Sequence, residues 1–475
     1  MRLRGPRARE LRHAAIACLL VIPTCLCRQI SGFDIDDGGQ TTLSDAGPDA
    51  GPDAGDAGDA GLDAGGDGGL DAGEDAGVDA GPDAGEDAGP DGGPDGGADS
   101  GVPPVPDSGV GACGLPISGL TSSVTYPLGS ISTPFASADL NGDGLLDLIE
   151  GSSPNAGFNV LFGLADGGLS EPIPYDSVTP SPWFAVGDVD GDGSPDLVIS
   201  SWSASLGLVV FLNDGHGGLT QQPILSTPGV TDGVAIGDLN GDGLADLLAN
   251  TNDTQTWFWE VFFQLSDGGF SAPSRLDLPS PFDPELIFGD LNGDGLQDLI
   301  TTTDDEAHVA VFLQQSDGGF EQTLYQAPAL GQIGLLPRAG GLPDIVVGET
   351  GYQENAAGET VLGIGVMANL GNGTFAEPVT YTIPGGASFA IGDFNGDCIP
   401  DIASPSNDQG ACQNGWPISV LYGDGDGGFT GPENLNAGEG PGAIAVLGPV
   451  DNPRAIAAGD YCGGGVTVYG DASQH

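Results

Sequence analysis

A single nine-residue pattern dictates most of what this chain can become. The stretch 238-DLNGDGLAD-246 puts Asp238, Asn240, Asp242 and Asp246 at its first, third, fifth and ninth positions, with glycine at the fourth and sixth. The pattern also begins at Asp139, Asp188, Asp290 and Asp393, and the first four starts lie about 50 residues apart. The interval from 290 to 393 is about twice as long, which predicts a concealed copy inside it. The stretch 332-QIGLLPRAGGLPDIVVG-348 fits: it keeps the closing Asp344 but carries Leu336, Arg338 and Gly340 where the first ligand positions would fall. A seventh copy, also eroded, is 442-GAIAVLGPVDNPRAIAAG-459.

Each copy sits in the same surroundings. One short apolar run enters it, as in 388-SFAIGD-393, and a second leaves it, as in 197-LVIS-200. A variable loop follows, then a third run ending in a glycine turn, as in 208-LVVFLNDGHGG-218 and 309-VAVFLQQSDGG-319, then a weaker run with a proline. Short apolar runs bounded by Asp-Gly and Gly-Gly turns are antiparallel strands. Seven groups of four predict an all-β chain folded as a seven-bladed β-propeller of four-stranded blades. The first group starts in a fourth-strand segment, 123-SVTYPLGS-130, and the last stops at a third-strand segment, 465-GVTVYG-470. Those ends are expected to meet within one blade and hide the edges that an open sheet exposes.

The alternating oxygens explain the acid content of the turns. Carboxylates and carboxamides at positions 1, 3 and 5, a backbone carbonyl at 7 and an aspartate at 9 wrap several oxygens round one hard cation, and Ca²⁺ suits such a flexible oxygen cage. An EF-hand or dockerin loop would need its last ligand at position 12 and a helix behind it, whereas here position 9 closes the loop and strands flank it. Plain Asp-Gly hairpin chemistry is the competing reading, but it does not call for three or four ligands in fixed phase.

The units FAVGDVDGDGSPDLVIS and ASFAIGDFNGDCIPDIAS resemble FG-GAP/VCBS repeats, which build the calcium-bearing propeller head of integrin alpha subunits and of many bacterial surface proteins. The resemblance covers about residues 115 to 470 and implies calcium ligands position by position. They are Asp139, Asn141, Asp143 and Asp147; Asp188, Asp190, Asp192 and Asp196; Asp238, Asn240, Asp242 and Asp246; and Asp290, Asn292, Asp294 and Asp298. A fifth set is Asp393, Asn395, Asp397 and Asp401, where Cys398 takes a glycine position and is expected to strain the loop. The fifth and seventh units have lost their ligands and are expected to be metal-free. The repeats offer one closed loop several times over with no distinguished copy, so the ions are expected to be structural.

The resemblance also implies that the opposite face, built from loops between second and third strands, meets ligands. Trp202, Trp257, Tyr352 and Trp416 fall in loops of that class, with Asn252, Asp253, Gln353, Asn355, Asn407, Asp408 and Asn414. Aromatic faces beside amides and carboxylates suit sugar rings, although the same aromatics could instead pack between blades. Trp183 and Trp259 lie next to strands and are expected in the core.

Flanking sequence adds an address. Residues 1 to 24 carry five arginines and then 14-AAIACLLVIP-23, too short to span a bilayer and shaped as a secretory signal. The stretch 21-VIPTC-25 resembles the lipobox of bacterial lipoproteins, with Thr24 where Gly, Ala or Ser is usual, and implies lipidation of Cys25. Residues 25–112 read as a disordered acidic tether, dominated by Asp-Ala-Gly units that cannot bury a core, and residues 113–475 as the propeller. The chain is expected outside the cell, on the bacterial outer membrane or cell surface, or secreted.

The chain has a net charge of −59 and no lysine, and signal removal leaves Arg28, Arg275, Arg338 and Arg454 as its cations. Such a field repels phosphate backbones and anionic headgroups, so nucleic acid is excluded as a partner and the membrane is reached only through the anchor. Four cysteines remain in the folded part, and sequence alone allows three pairings. Cys398 with Cys412 would close a short loop, and Cys113 with Cys462 would lie near the seam of the ring. Catalysis has little support: no histidine stands in a recognisable motif, and Asp304, Asp305 and Glu306 read as a solvated acid run as readily as a polysaccharide-cleaving group. The sequence thus predicts a monomeric, non-enzymatic binder of a glycan or surface protein. The alternatives are a polysaccharide lyase or hydrolase and a passive envelope scaffold.

Overall fold

In a computed structural model the chain is described over residues 120–470. The exceptions are loop segments at 153–156, 178–182, 201–206, 279–285, 304–307, 355–359, 406–416, 437–440 and 461–463 and a few single or paired positions. The predicted signal, Cys25, the tether, Cys113, Trp202, Asp304, Asp305, Glu306, Asn355, Asn407, Asp408, Cys412, Asn414, Trp416 and Cys462 lie outside the described residues. All regular structure among the described residues is β-strand.

The strands pair antiparallel in consecutive groups of four. The first unit is Ile131–Ala138, Leu145–Ser152, Gly157–Leu161 and Ile173–Asp176. The second is Trp183–Gly187, Asp196–Ser200, Val209–Asn213 and Leu219–Gln221, and the third is Val230–Gly237, Asp246–Asn252, Trp257–Phe262 and Ser274–Leu276. The fourth is Leu286–Gly289, Asp298–Thr302, His308–Gln314 and Phe320–Gln326. The fifth comprises Leu330–Arg338, Gly341–Glu354, Thr360–Met367 and Val379–Thr382, with a small hairpin of Asn369–Gly371 and Thr374–Phe375 inserted before its last strand. The sixth is Ala390–Gly392, Asp401–Pro405, Pro417–Gly423 and Phe429–Asn436. The seventh contains Pro441–Pro449, Ala455–Asp460 and Gly465–Gly470, and takes its outer strand from the other end of the described chain, Ser122–Pro127.

That last pairing runs from Ser122 opposite Gly470 to Pro127 opposite Gly465, with Thr125 and Thr467 sharing a hydroxyl hydrogen bond of 2.9 Å. The two segments read from sequence as partners therefore do pair. Further contact between the last and first units comes from Gly448 opposite Leu146 and Pro449 opposite Leu145.

Burial explains why the inner runs read as unbroken apolar stretches. In the second unit every residue of Asp196–Ser200 is buried, while the outer Leu219–Gln221 has none buried. An inner strand is covered on both faces by neighbouring units, so alternation is lost. Outer strands face water and resist further pairing through features such as Pro174, which has no N–H to donate.

Seven buried apolar clusters join the units in order. Ile149, Phe158 and Val160 of the first pack with Leu197, Ile199 and Phe211 of the second; four further clusters carry the sequence to the sixth. Phe394 and Ile418 of the sixth meet Ile456 of the seventh, and Ala457 and Val468 of the seventh meet Leu148 and Leu161 of the first. The array is thus cyclic. Tyrosines on outer strands add polar stitches between neighbours: the Tyr175 hydroxyl donates to the Gly217 carbonyl at 3.1 Å, and the Tyr126 hydroxyl accepts from the Leu169 N–H at 2.8 Å.

Two candidate ligand-face aromatics are not in loops. Trp257 opens the third strand of its unit opposite Asn252, and is half-buried. Tyr352 and Gln353 lie within the strand Gly341–Glu354, whose extension beyond a bulge pairs Gln353 with Val361. Strand pairing here runs further than the polar, glycine-rich composition suggested. Trp259 is 2% exposed and belongs to the core, as expected, whereas Trp183 is only half-buried.

Candidate metal centre

The acidic loops join first and second strands, and each is shaped by its own first aspartate. In the first unit Asp139 Oδ1 accepts from the N–H groups of Gly142 and Asp143 at 2.8 and 3.1 Å, and Oδ2 accepts from Gly144 at 2.8 Å. Asn141 Oδ1 accepts from Asp143 N–H at 2.9 Å, and Asp143 Oδ1 from Leu145 N–H at 2.9 Å. Successive N–H groups can converge this way only if the backbone turns through left-handed conformations, and Gly142 and Gly144 have φ of 72° and 84°. The loops at Asp188, Asp238 and Asp290 repeat the pattern from the first aspartate to the sixth-position N–H, at 2.9, 2.8 and 3.0 Å.

The ninth-position aspartate anchors the loop to the sheet. Asp147 is fully buried; its Oδ2 accepts from Leu140 N–H and its Oδ1 from Gly163 N–H, both at 2.8 Å. Asp196, Asp246, Asp298 and Asp401 are equally buried and accept the equivalent pair of bonds. Burial pushes these carboxyls up, to about 6 for Asp147, Asp246 and Asp298 and about 7 for Asp196 and Asp401. The backbone donors oppose that rise, and the other acids of each loop add to it.

The fifth acidic loop holds its shape despite Cys398. That residue takes the left-handed conformation at φ 65°, and its N–H still donates to Asp393 Oδ2 at 2.9 Å. An L-residue there costs about 1–2 kcal/mol relative to an ordinary conformation, so the strain lies in the backbone and leaves the hydrogen bonds intact. Cys398 is disulfide-bonded.

The structure revises the degenerate fifth unit. Leu336 pairs with Asp344 as Gly237 pairs with Asp246, so Pro337 takes the place of the first ligand and the loop is one residue shorter. Arg338 is more than a lost ligand. Its guanidinium forms an ion pair with Asp344, which is 1% exposed, while Asp344 Oδ1 accepts from Asn369 N–H at 2.7 Å. Where the other loops set further acids beside the closing aspartate, this one supplies a cation.

The donor set of the acidic loops fits a hard divalent ion. All side-chain candidates are oxygens, and carboxylate oxygens of Asp188, Asp190 and Asp196 lie within 4.8 Å of one another, able to hold a metal ion. The remaining acidic loops carry asparagine at the third position, whose amide oxygen would stand in for a carboxylate. Without an ion, burial shifts the closing carboxyls towards protonation. Their pKa is raised above the unfolded value near 3.8, so their stabilisation is full below about pH 4 and lost as pH rises through 6 to 7. The ion-free chain is therefore expected to melt several degrees higher at pH 5 than at pH 8. Calorimetry in chelator checks this, and excess divalent ion should flatten or invert the trend because ligands must be deprotonated to bind.

Comparison with known families places this geometry. A model of the FG-GAP-like repeat matches residues 139–199, 188–249 and 341–404, so the chain carries FG-GAP-like repeats. No curated protein matches the sequence. Similar solved structures include BBS1N in complex with ARL6DN, soaked with mercury, at 11% identity and a TM-score of 0.49, covering 75% of this chain and 97% of that one. Hydrazine synthase of Kuenenia stuttgartiensis gives 13% identity and a TM-score of 0.46 over 70% of this chain and 93% of that one. A protein from Lactobacillus plantarum gives 13% and 0.43, covering 65% and 86%. At these scores the likenesses say nothing of function.

Proposed function

We propose that this chain is an exported, lipid-anchored protein whose acidic stalk presents a seven-bladed, calcium-stabilised propeller that binds a glycan or surface protein without catalysis. The observation that carries the reading is the sameness of the acidic loops. Among the described residues each is tied to its sheet by two backbone bonds to a buried closing aspartate, so no copy is distinguished from the others by how it is held. Repeated, closed oxygen cages favour calcium as a structural ion. The cyclic order of the seven apolar clusters supports the blade count.

The opposite ends of the second strands are the proposed ligand face, with Trp257 and Asn252 at one of its loops. The test is retention of the full chain, with calcium present, on a panel of immobilised glycans. Saturable binding that Trp257→Ala weakens at least tenfold would support a lectin-like role. Absence of retention would turn the reading towards protein partners, and new reducing or unsaturated sugar ends would replace it with an enzyme.

A further inference from the structure

Three side-chain amides connect the acidic loops to one another, and a fourth connects the last of them to the eroded fifth unit. At the end of the third strand in the second unit, Asn213 donates its backbone N–H to the closing Asp196 Oδ1 of its own unit at 2.8 Å. Its side-chain amide donates at 2.9 Å to the carbonyl of Leu140, the second residue of the acidic loop in the preceding unit. Gln264 does the same one unit on, bonding Asp246 with its N–H and the Val189 carbonyl with its side chain. Gln314 bonds Asp298 and the Leu239 carbonyl, the latter at 2.7 Å. Asn369 bonds Asp344 and the Leu291 carbonyl, the latter at 3.0 Å.

These bonds join end to end. Asp147 accepts from Leu140 N–H; the Leu140 carbonyl accepts from Asn213; Asn213 donates to Asp196, which accepts from Val189 N–H, and so on through Gln264, Gln314 and Asn369 to Asp344 and Arg338. The residues that make the chain are buried for most of its length: Asn213 is 3% exposed, Gln264 4% and Gln314 3%. The amides follow the motif. They stand in the units after each of the first four acidic loops, whereas the matching N–H donors to Asp147 and Asp401 are Gly163 and Gly423, which lie in the units after the two eroded ones and have no side chain.

We propose that Asn213, Gln264, Gln314 and Asn369 couple neighbouring loops, so that the first four sites bind calcium cooperatively and Arg338 with Asp344 acts as a permanently charged terminus that pre-orders the fourth loop through Asn369. The proposal rests on the calcium reading. An ion that orders one loop fixes the second-position peptide, whose carbonyl holds the amide of the next unit. The same residue's backbone N–H then holds the next closing aspartate in place for an ion. Cooperativity is the free energy gained when the second loop no longer has to be ordered from a mobile state.

The test is a calcium titration of the full chain against a chromophoric chelator, with Gln264→Met and Gln314→Met as variants that keep length and remove the donor. The wild type is expected to bind at least four ions with a Hill coefficient above unity. Each variant should keep that stoichiometry while its Hill coefficient falls and its midpoint weakens roughly fivefold or more. A double-mutant cycle adds a readout that simple loss of packing does not move. Asp238→Asn, which disables the third loop, should weaken the remaining sites more in the wild type than in Gln314→Met, where only the second loop stays joined to the third, through Gln264. No calcium uptake by the folded wild type would overturn the calcium reading itself. Uptake with a Hill coefficient of unity, or variants indistinguishable from wild type, would overturn the coupling alone. If either glutamine variant fails to fold, the wild-type Hill coefficient and the other junction still decide the matter.

Discussion

Chelation of calcium is expected to lower the melting temperature of the full chain by about 20 °C. At a free concentration a hundred times Kd, one site that binds only the folded state adds about 2.7 kcal/mol. Four such loops contribute on the order of 10 kcal/mol, and a domain of this size shifts by roughly 2 °C per kcal/mol. The sign follows from the loops, which gather Asp139, Asp143 and Asp147 into one turn with no protein cation among their hydrogen-bond partners. Differential scanning calorimetry in calcium and then in EGTA makes the measurement. Coincident melting curves would remove the structural role of the ion.

Loss of Arg338 should destabilise the fifth unit strongly, and calcium should not rescue it. Arg338→Ala leaves Asp344 buried without its partner, and breaking a buried pair from one side costs about 3–5 kcal/mol. The guanidinium is 32% exposed, which puts the expected loss near the lower end, about 3 kcal/mol. Urea unfolding of Arg338→Ala, with and without calcium, should give the same decrease in both conditions. Arg338→Ala combined with Asp344→Asn should recover part of it, because the neutral amide need not carry a buried charge. A loss that calcium erases would mean that the fifth unit binds an ion after all.

Much of this architecture could be read before any coordinates. The nine-residue motif located the loops, the apolar runs beside it located inner strands such as Asp196–Ser200, and the matching of 123–130 with 465–470 located the ring's joint. These signals are local, or repeated often enough to average out accidents. Arg338 was harder, because an ion pair with Asp344 depends on a shortened loop and its register, neither of which composition reveals. The linking amides did leave a trace: Asn213, Gln264, Gln314 and Asn369 all stand just ahead of a glycine turn. An amide there looks like ordinary turn chemistry until the preceding unit's carbonyl is placed beside it. Tyr352 and Trp257 misled for the opposite reason, since polar neighbours suggested loops where local hairpin pairing extended the strands.

The strand Ser122–Pro127 has a consequence for how the molecule is made. It is synthesised before the rest of the propeller and finds its partner, Gly465–Gly470, only after almost everything between has emerged; Thr125 and Thr467 are 342 positions apart. Contacts so distant in sequence form slowly, because the chain must give up its freedom before they repay it. Until then the seventh sheet has a bare edge open to any passing strand. Completion of the ring is therefore the step at which a newly made copy is most exposed to misassembly, and the point at which quality control of its production would act.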